Sequence, residues 1–292
     1  MGELNKRTLY YLFTMPGLLL YVVLFLGPVY MAVYYSLTDY DGLNPKFAFI
    51  GLRNYQEAFH DVRFAGDIGF TVHYTVILTV MVTLISLLLA LALNSSLVRF
   101  RNVYRSIYFF PAVLGSIVVG LIWNQIYYGA VPVIGKALGI EALSTNILGN
   151  NSLVIYGVLF VNIWQGISIP MVLFFAGLQS IPKHLYEAAT LEGATALQKF
   201  RFISFPFLTG IVGIVLILNI KAGLTTFDYI LALTGGGPGF KTESIGLLIY
   251  KQGFANIRFA YGAAQSVLLL LVIAIISVAQ FKYLNRKGVD QQ

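Results

Sequence analysis

Six long apolar blocks separated by polar connections dominate this chain, at approximately 11–37, 70–94, 104–128, 153–179, 205–226 and 261–284. Each comes near the ~20 residues that an α-helix needs to cross ~30 Å of hydrocarbon. The pattern predicts an all-α polytopic membrane protein with six transmembrane helices in a single domain over 1–292. The first block follows Lys6 and Arg7, as the apolar core of a signal peptide would. It runs too long for that and lacks a small-residue cleavage site, so it is read as a retained span.

Composition strengthens this reading. The chain is 58% hydrophobic and 11% charged, whereas a soluble domain carries about 25% charged residues. Most of it must therefore face lipid or other embedded helices. There is no cysteine, which excludes a disulfide framework and a thiolate metal site. His60, His73 and His184 form no ligand pair at helical spacing, so no metal site is expected.

The net charge of +7 would suggest nucleic acid in a soluble protein, but here it divides across the membrane. With six spans both termini share one side. That side holds eleven bases, among them Arg99, Arg101, Lys183, Lys199 and Arg201, against the four acids Glu3, Glu187, Glu192 and Asp290. The other side carries seven bases against eight acids, and Lys221 falls inside span five. The Lys/Arg bias of short loops makes the basic side cytoplasmic, with both termini and the connection 180–205 inside. No nucleic-acid partner is expected.

The external connections 38–69 and 227–260 are long and mixed. Within the second, LTGGGPGF at 233–240 is too rich in glycine and proline for helix or strand. It precedes Lys241-Thr242 but has Phe240 where a phosphate loop requires glycine. It also faces away from ATP. Nucleotide binding by this chain is not expected.

The polar interruption EAATLEGATALQKFRFISFP, at 187–206, separates blocks four and five. Ser180-Ile181-Pro182 offers a cap residue and an early proline for a helix start. Glu187 and Glu192 keep the helix soluble while Ala188 and Ala189 leave a small surface, and Gly193 can take the left-handed conformation that ends it. A second helix resumes from Ala194, and Pro206 suits the first turn of span five. Two readings of this hairpin are open: an amphipathic element lying on the headgroups, or a docking knob whose carboxylate pairs with a partner's arginine.

Within the spans, Asn162 and Gln165 share a helix face three residues apart, and Asn219 is polar in span five. Buried polar groups in spans face a bundle interior or a water-filled path. These three are candidates for a solute pathway, with interhelical hydrogen bonding as the alternative. Snorkelling accounts for Lys221 and an aromatic belt for Trp123, Tyr127 and Tyr128.

Glu187-Ala188-Ala189, then Gly193, then Ile203, Phe205 and Pro206, resembles the EAA signature of permease subunits in binding-protein-dependent ABC importers. Phe205 stands where that signature usually has leucine, which keeps an apolar residue before the proline. FIGLRNY at 49–55, RSIYFFP at 105–111, GLQSIPKHLYEAA ending at 189, and LTGGGP before IYKQGF resemble the carbohydrate-uptake branch. The similarity is to the first permease of maltose, lactose, multiple-sugar and glycerol-phosphate systems. It implies a permease for a sugar or oligosaccharide, with glycerol phosphate or a polyol as the alternative, that forms half of a translocation pathway. It implies that the helix around Glu187, Ala188 and Ala189 couples to an ATPase, with Gly193 turning behind it and Pro206 opening the next span. The implied partners are a second homologous permease, two cytoplasmic ATPases that bind ATP and Mg, and an external solute-binding protein. No cofactor is expected in this chain, and the implied location is a bacterial or archaeal cell membrane. An intramembrane enzyme would need paired ionisable groups within the spans, and no catalytic residue is expected. An ATPase-independent secondary transporter would show interrupted helices in two similar halves, a self-similarity this sequence lacks.

Overall fold

The computed structural model describes residues 6–95 and 98–289; Glu3 and Asp290, which enter the charge count, lie outside the described residues. Among the described residues there is no strand, only an isolated bridge between Thr38 and Phe49. Among the described residues five helical segments are long and apolar enough to cross a membrane: Tyr10–Ser36, Val62–Asn94, Ser116–Leu138, Ala196–Leu224 and Phe259–Lys282. A sixth crossing is formed if Val154–Gly166 and Ser168–Ser180, bent by 41°, count as one broken span.

The block expected as one span over 104–128 is broken in the structure. A helix Arg101–Phe109 passes into a short tight turn at Phe110–Val113, and a new helix starts at Ser116. Pro111 lacks an N–H, and Leu114 and Gly115 turn extended (ψ 142° and 137°), so the helical ladder cannot continue. The segment of crossing length therefore begins at Ser116 and runs past the sequence expectation to Leu138.

Prolines also leave a local signature. The wide turns Val22–Leu26, Ile126–Ala130 and Phe200–Ser204 each end two residues before a proline, at Pro28, Pro132 and Pro206. Proline cannot donate to the carbonyl four residues back and its ring crowds that carbonyl. Widening the preceding turn to i→i+5 bonding relieves the conflict without ending the helix.

The chain divides into two compact units. Unit one comprises Met1–Ala65 with Leu248–Val272. In it the Asp61 carboxylate accepts a 2.7 Å bond from the Tyr261 hydroxyl, and the Arg258 guanidinium lies 4.2 Å over the Tyr261 ring. The Tyr35, Tyr40, Phe47 and Phe259 rings pack into an aromatic cluster beside them. Unit two comprises Gly66–Leu247 with Ile273–Gln292 and holds two apolar clusters. One gathers Tyr74, Leu78, Val82, Val119, Val158 and Ile230; the other gathers Ala90, Met171, Phe174, Leu178, Leu208 and Val215. Gly177 permits the second: a Cβ there would stand 2.1 Å from Ile211 Cδ1. Small residues at such crossings are how helices pack closely where lipid gives no hydrophobic drive.

Tyr127 is not part of an aromatic belt. It is 4% exposed and its hydroxyl donates to the Gly157 carbonyl at 2.9 Å. Trp123 packs edge-on against Trp164 and Phe160. Of the three aromatics, Tyr128 stands free at 74% exposure.

Candidate functional site

Helix bends build the first feature, a cavity of about 580 Å³ within unit two. Its wall includes Ser116, Asn162, Gln165, Asn219, Asp228 and Tyr229. The structure thus brings Asn162 and Gln165 of one span and Asn219 of the next to one cavity. Their bonding separates them. Gln165 donates through Nε2 to the Pro111 and Leu114 carbonyls at 2.9 and 2.7 Å, and its Oε1 accepts from the Tyr229 hydroxyl at 2.6 Å. Both functions of the amide are engaged within the chain. The carbonyls it binds lie at the helix break around Pro111; that of Pro111 also accepts from the Leu114 N–H at 3.2 Å, and lipid could offer neither a donor.

Asn162 and Asn219 keep capacity to spare. Asn162 Nδ2 donates to the Tyr74 hydroxyl at 2.8 Å and Asn219 Nδ2 to Thr83 Oγ1 at 3.3 Å. Their side-chain oxygens accept no bond among the described residues. Asp228 is the single charged residue in this wall. Tyr229 was missed altogether. Its position beside Asp228 in a short helix after span five was the available signal, but only folding turns it onto Gln165.

The second feature is the hairpin after the bent span. Its first helix runs Lys183–Leu191, with Pro182 rather than Ser180 at the cap position. Ser180 instead turns its hydroxyl back to the Gly177 carbonyl at 2.8 Å and closes the helix before it. Gly193 has φ +75°, the Gly193 N–H donates to Thr190 and the Ala194 N–H to Ala189. This is the paired bonding of a Schellman stop. Thr195 and Gln198 then exchange backbone and side-chain bonds as a capping box, starting the next helix at Ala196.

One face of the hairpin is pinned. Leu185, Tyr186 and Ile203 pack against the second apolar cluster, and the Tyr186 hydroxyl meets Ser204 Oγ at 2.9 Å. Lys199 Nζ donates to Thr190 Oγ1 at 2.8 Å and braces the two arms. The remaining face is uncovered: Glu187 and Ala188 are exposed, Leu191 is 90% exposed, and Ala189 is half-buried. Pro206 enters the first turn of the helix Phe205–Leu224. Among the described residues no cluster of His, Cys, Asp or Glu could hold a metal ion.

No family model matches the chain. It is 39% identical over 270 residues, 92% of this chain and 93% of the relative, to the multiple sugar-binding transport system permease protein MsmF of Streptococcus mutans. It is 34% identical over 278 residues (95% and 94%) to the starch degradation products transport system permease protein AmyD of Thermoanaerobacterium thermosulfurigenes, described as probable. The sn-glycerol-3-phosphate transport system permease protein UgpA of Salmonella choleraesuis is 32% identical over 284 residues (97% and 96%). Among solved structures, a chain of a bacterial ABC transporter involved in import of the acidic polysaccharide alginate superposes with TM-score 0.82 at 18% identity, covering 97% of both chains. A chain of the inward-facing MetNI methionine ABC transporter gives 0.53 at 18% identity, covering 77% of this chain and 96% of that one. Spans of this length on this fold define an integral membrane protein with the architecture of an ABC transporter's membrane subunit. The chain belongs to the family of permease proteins of sugar and glycerol-phosphate ABC transport systems, the carbohydrate branch of the binding-protein-dependent importers.

Proposed function

We propose that this permease imports a neutral sugar or oligosaccharide, and that the hairpin after Ser180 is where a separate ATPase docks. The observation that carries the docking assignment is the two-sidedness of the hairpin. Leu185, Tyr186 and Ile203 tie it to the helix core, while Glu187, Ala188 and Leu191 remain uncovered. A rigid knob that presents Glu187 beside Ala188, with Leu191 and Glu192 also exposed, fits a groove that offers a cation. A push on it passes into Phe205–Leu224 through Tyr186, Ser204 and Ile203, so the coupling is between rigid bodies.

The cavity supplies this chain's share of the pathway. Hydroxyl, amide and aromatic groups line it with Asp228 and no lysine, arginine or histidine. That set suits polyhydroxylated neutral solutes better than a phosphate. Asn162 and Asn219, with spare acceptor oxygens, are the contacts of first choice. Gln165 holds the wall in place. A second homologous permease lines the remainder, two ATPases bind ATP and Mg on the cytoplasmic face, and an external solute-binding protein delivers the solute. Both termini and the hairpin lie in the cytoplasm of a bacterial or archaeal cell, as the Lys/Arg distribution supports.

The test is Glu187→Lys in the reconstituted importer. Membrane insertion is expected to be unchanged, while ATP hydrolysis no longer responds to solute-loaded binding protein and transport stops. Wild-type transport in this variant refutes the docking assignment. Titrating the binding protein with a sugar panel that includes glycerol phosphate decides the solute class.

A further inference from the structure

The second cavity of unit two to consider lies away from the solute wall. It measures about 490 Å³ and is formed where three helix ends meet. Asn94 ends the long helix Val62–Asn94, Arg101 begins the next helix, and Ile181 follows the end of Ser168–Ser180. Arg101 and Lys183 supply its charge, Asn94 and Gln179 add amides, and among the described residues no carboxylate lines it. Its floor is apolar, with Leu178 and Ile181 both buried.

A second groove of about 400 Å³ opens one residue further along the same helix. Leu89, Leu93, Val98, Tyr104 and Tyr108 give it a largely apolar lining, with Arg99 as its one charged residue. Leu93 adjoins Asn94, and Tyr104 lies one turn from Arg101, so the groove and the basic cavity are built on the same two helices. The paired features match an amphiphile with an anionic head and an apolar tail.

We infer that this is a binding site for an anionic phospholipid, with its phosphate between Arg101 and Lys183 and an acyl chain along Leu89, Leu93 and Tyr108. Basic pockets at the ends of transmembrane helices hold anionic headgroups by charge and hydrogen bonding. A zwitterionic choline head would bring its own cation against Arg101 and Lys183. Free phosphate would leave the apolar groove without an occupant. Tyr186 lines the same cavity and bonds to Ser204 within the hairpin, so an occupied site would stiffen the root of that element.

The test uses the intact importer complex in nanodiscs of phosphatidylcholine with a minor fraction of phosphatidylglycerol. The lipids retained after detergent extraction are counted by native mass spectrometry. Wild type is expected to retain phosphatidylglycerol in preference to phosphatidylcholine. Each base contributes about 1 kcal/mol near a membrane surface, and tenfold corresponds to about 1.4 kcal/mol. Arg101→Gln with Lys183→Gln therefore lowers retention about thirtyfold, while Arg101→Lys with Lys183→Arg keeps it. Equal retention by wild type and the glutamine variant overturns the site, as does equal loss in the charge-conserving variant. Retention abolished by inorganic phosphate reassigns the cavity to a free anion. Retention seen only after the ATPase subunits are stripped away assigns it to an ATPase side chain; either result overturns the lipid assignment.

Discussion

Replacing Gln165 with methionine keeps the length of the side chain and deletes its polar end. The residue is 8% exposed, and three hydrogen bonds end on it, from the Tyr229 hydroxyl and to the carbonyls of Pro111 and Leu114. A typical hydrogen bond contributes about 1 kcal/mol net, which would give ~3 kcal/mol in all. Measured interhelical bonds in membrane proteins average nearer ~0.6 kcal/mol, which gives ~2 kcal/mol. The Pro111 carbonyl keeps its bond from the Leu114 N–H, and the cavity beside Gln165 lets water reach that of Leu114, so the lower figure is the expectation. For a chain of this size that corresponds to a fall of roughly 4–8 °C in the unfolding midpoint. The assay is thermal unfolding of the purified complex in detergent, comparing Gln165→Met, Tyr229→Phe and the double variant. Because Tyr229 and Gln165 share a bond, the double variant should lose less than the two single losses together, by about 0.5–1 kcal/mol. Asn162→Leu, which breaks one bond to Tyr74, should lose less stability than Gln165→Met and more transport. An unchanged midpoint in Gln165→Met refutes the assignment of this amide as the tie across the broken helices. Strict additivity with Tyr229→Phe refutes the direct bond.

At Gly177, leucine would drive atoms into Ile211 and Leu208, since even a Cβ would come within 2.1 Å of Ile211 Cδ1. A loss of about 1–3 kcal/mol is expected from overpacking, read as a lower yield of folded chain, and Ile211→Ala in the same chain should restore part of it. Partial burial of the Asp61 carboxyl opposes its ionisation. The hydrogen bonds from Tyr261 and from the backbone N–H groups of Phe64 and Arg63, with the Arg63 charge, outweigh this and hold its pKa below the usual 3.8. A depressed folded-state pKa gives stability that is present above the unfolded value and lost as pH falls through the folded one. Thermal stability of wild type should therefore drop below about pH 4 by an amount that Asp61→Asn lacks. Identical acid profiles for the two would refute the Tyr261 contact.

Much of the hairpin was legible because its signals are local. Gly193 falls where the first helix stops, as expected, whereas the second helix starts at Ala196 rather than Ala194 because Thr195 and Gln198 close a capping box; neither signal needs a distant partner. Ser180 was misjudged as a cap because its hydroxyl had two backbone choices within four residues, and only the geometry of the preceding turn selects Gly177. The run 104–128 reads as one apolar block because hydropathy does not register the missing N–H of Pro111 when apolar residues continue on both sides. Tyr127 reads as a belt aromatic for a related reason: its burial depends on Gly157, thirty residues away, which composition near Tyr127 does not reveal.

The sequence by itself determined the class of protein and the approximate places where the chain meets the bilayer. Lipid satisfies no backbone group, so each crossing must carry its apolar residues and its hydrogen bonds within one continuous segment, and such segments can be read one at a time. Tertiary structure alone decided what the polar residues in those segments do. Asn162, Gln165 and Asn219 reach one cavity only because bent helices from distant parts of the chain converge there. Whether an amide stands free for a solute or is consumed by the wall depends on carbonyls at Pro111 and Leu114 and a hydroxyl at Tyr229, all more than fifty residues away. Those partnerships are set by packing at long range, which no local pattern encodes.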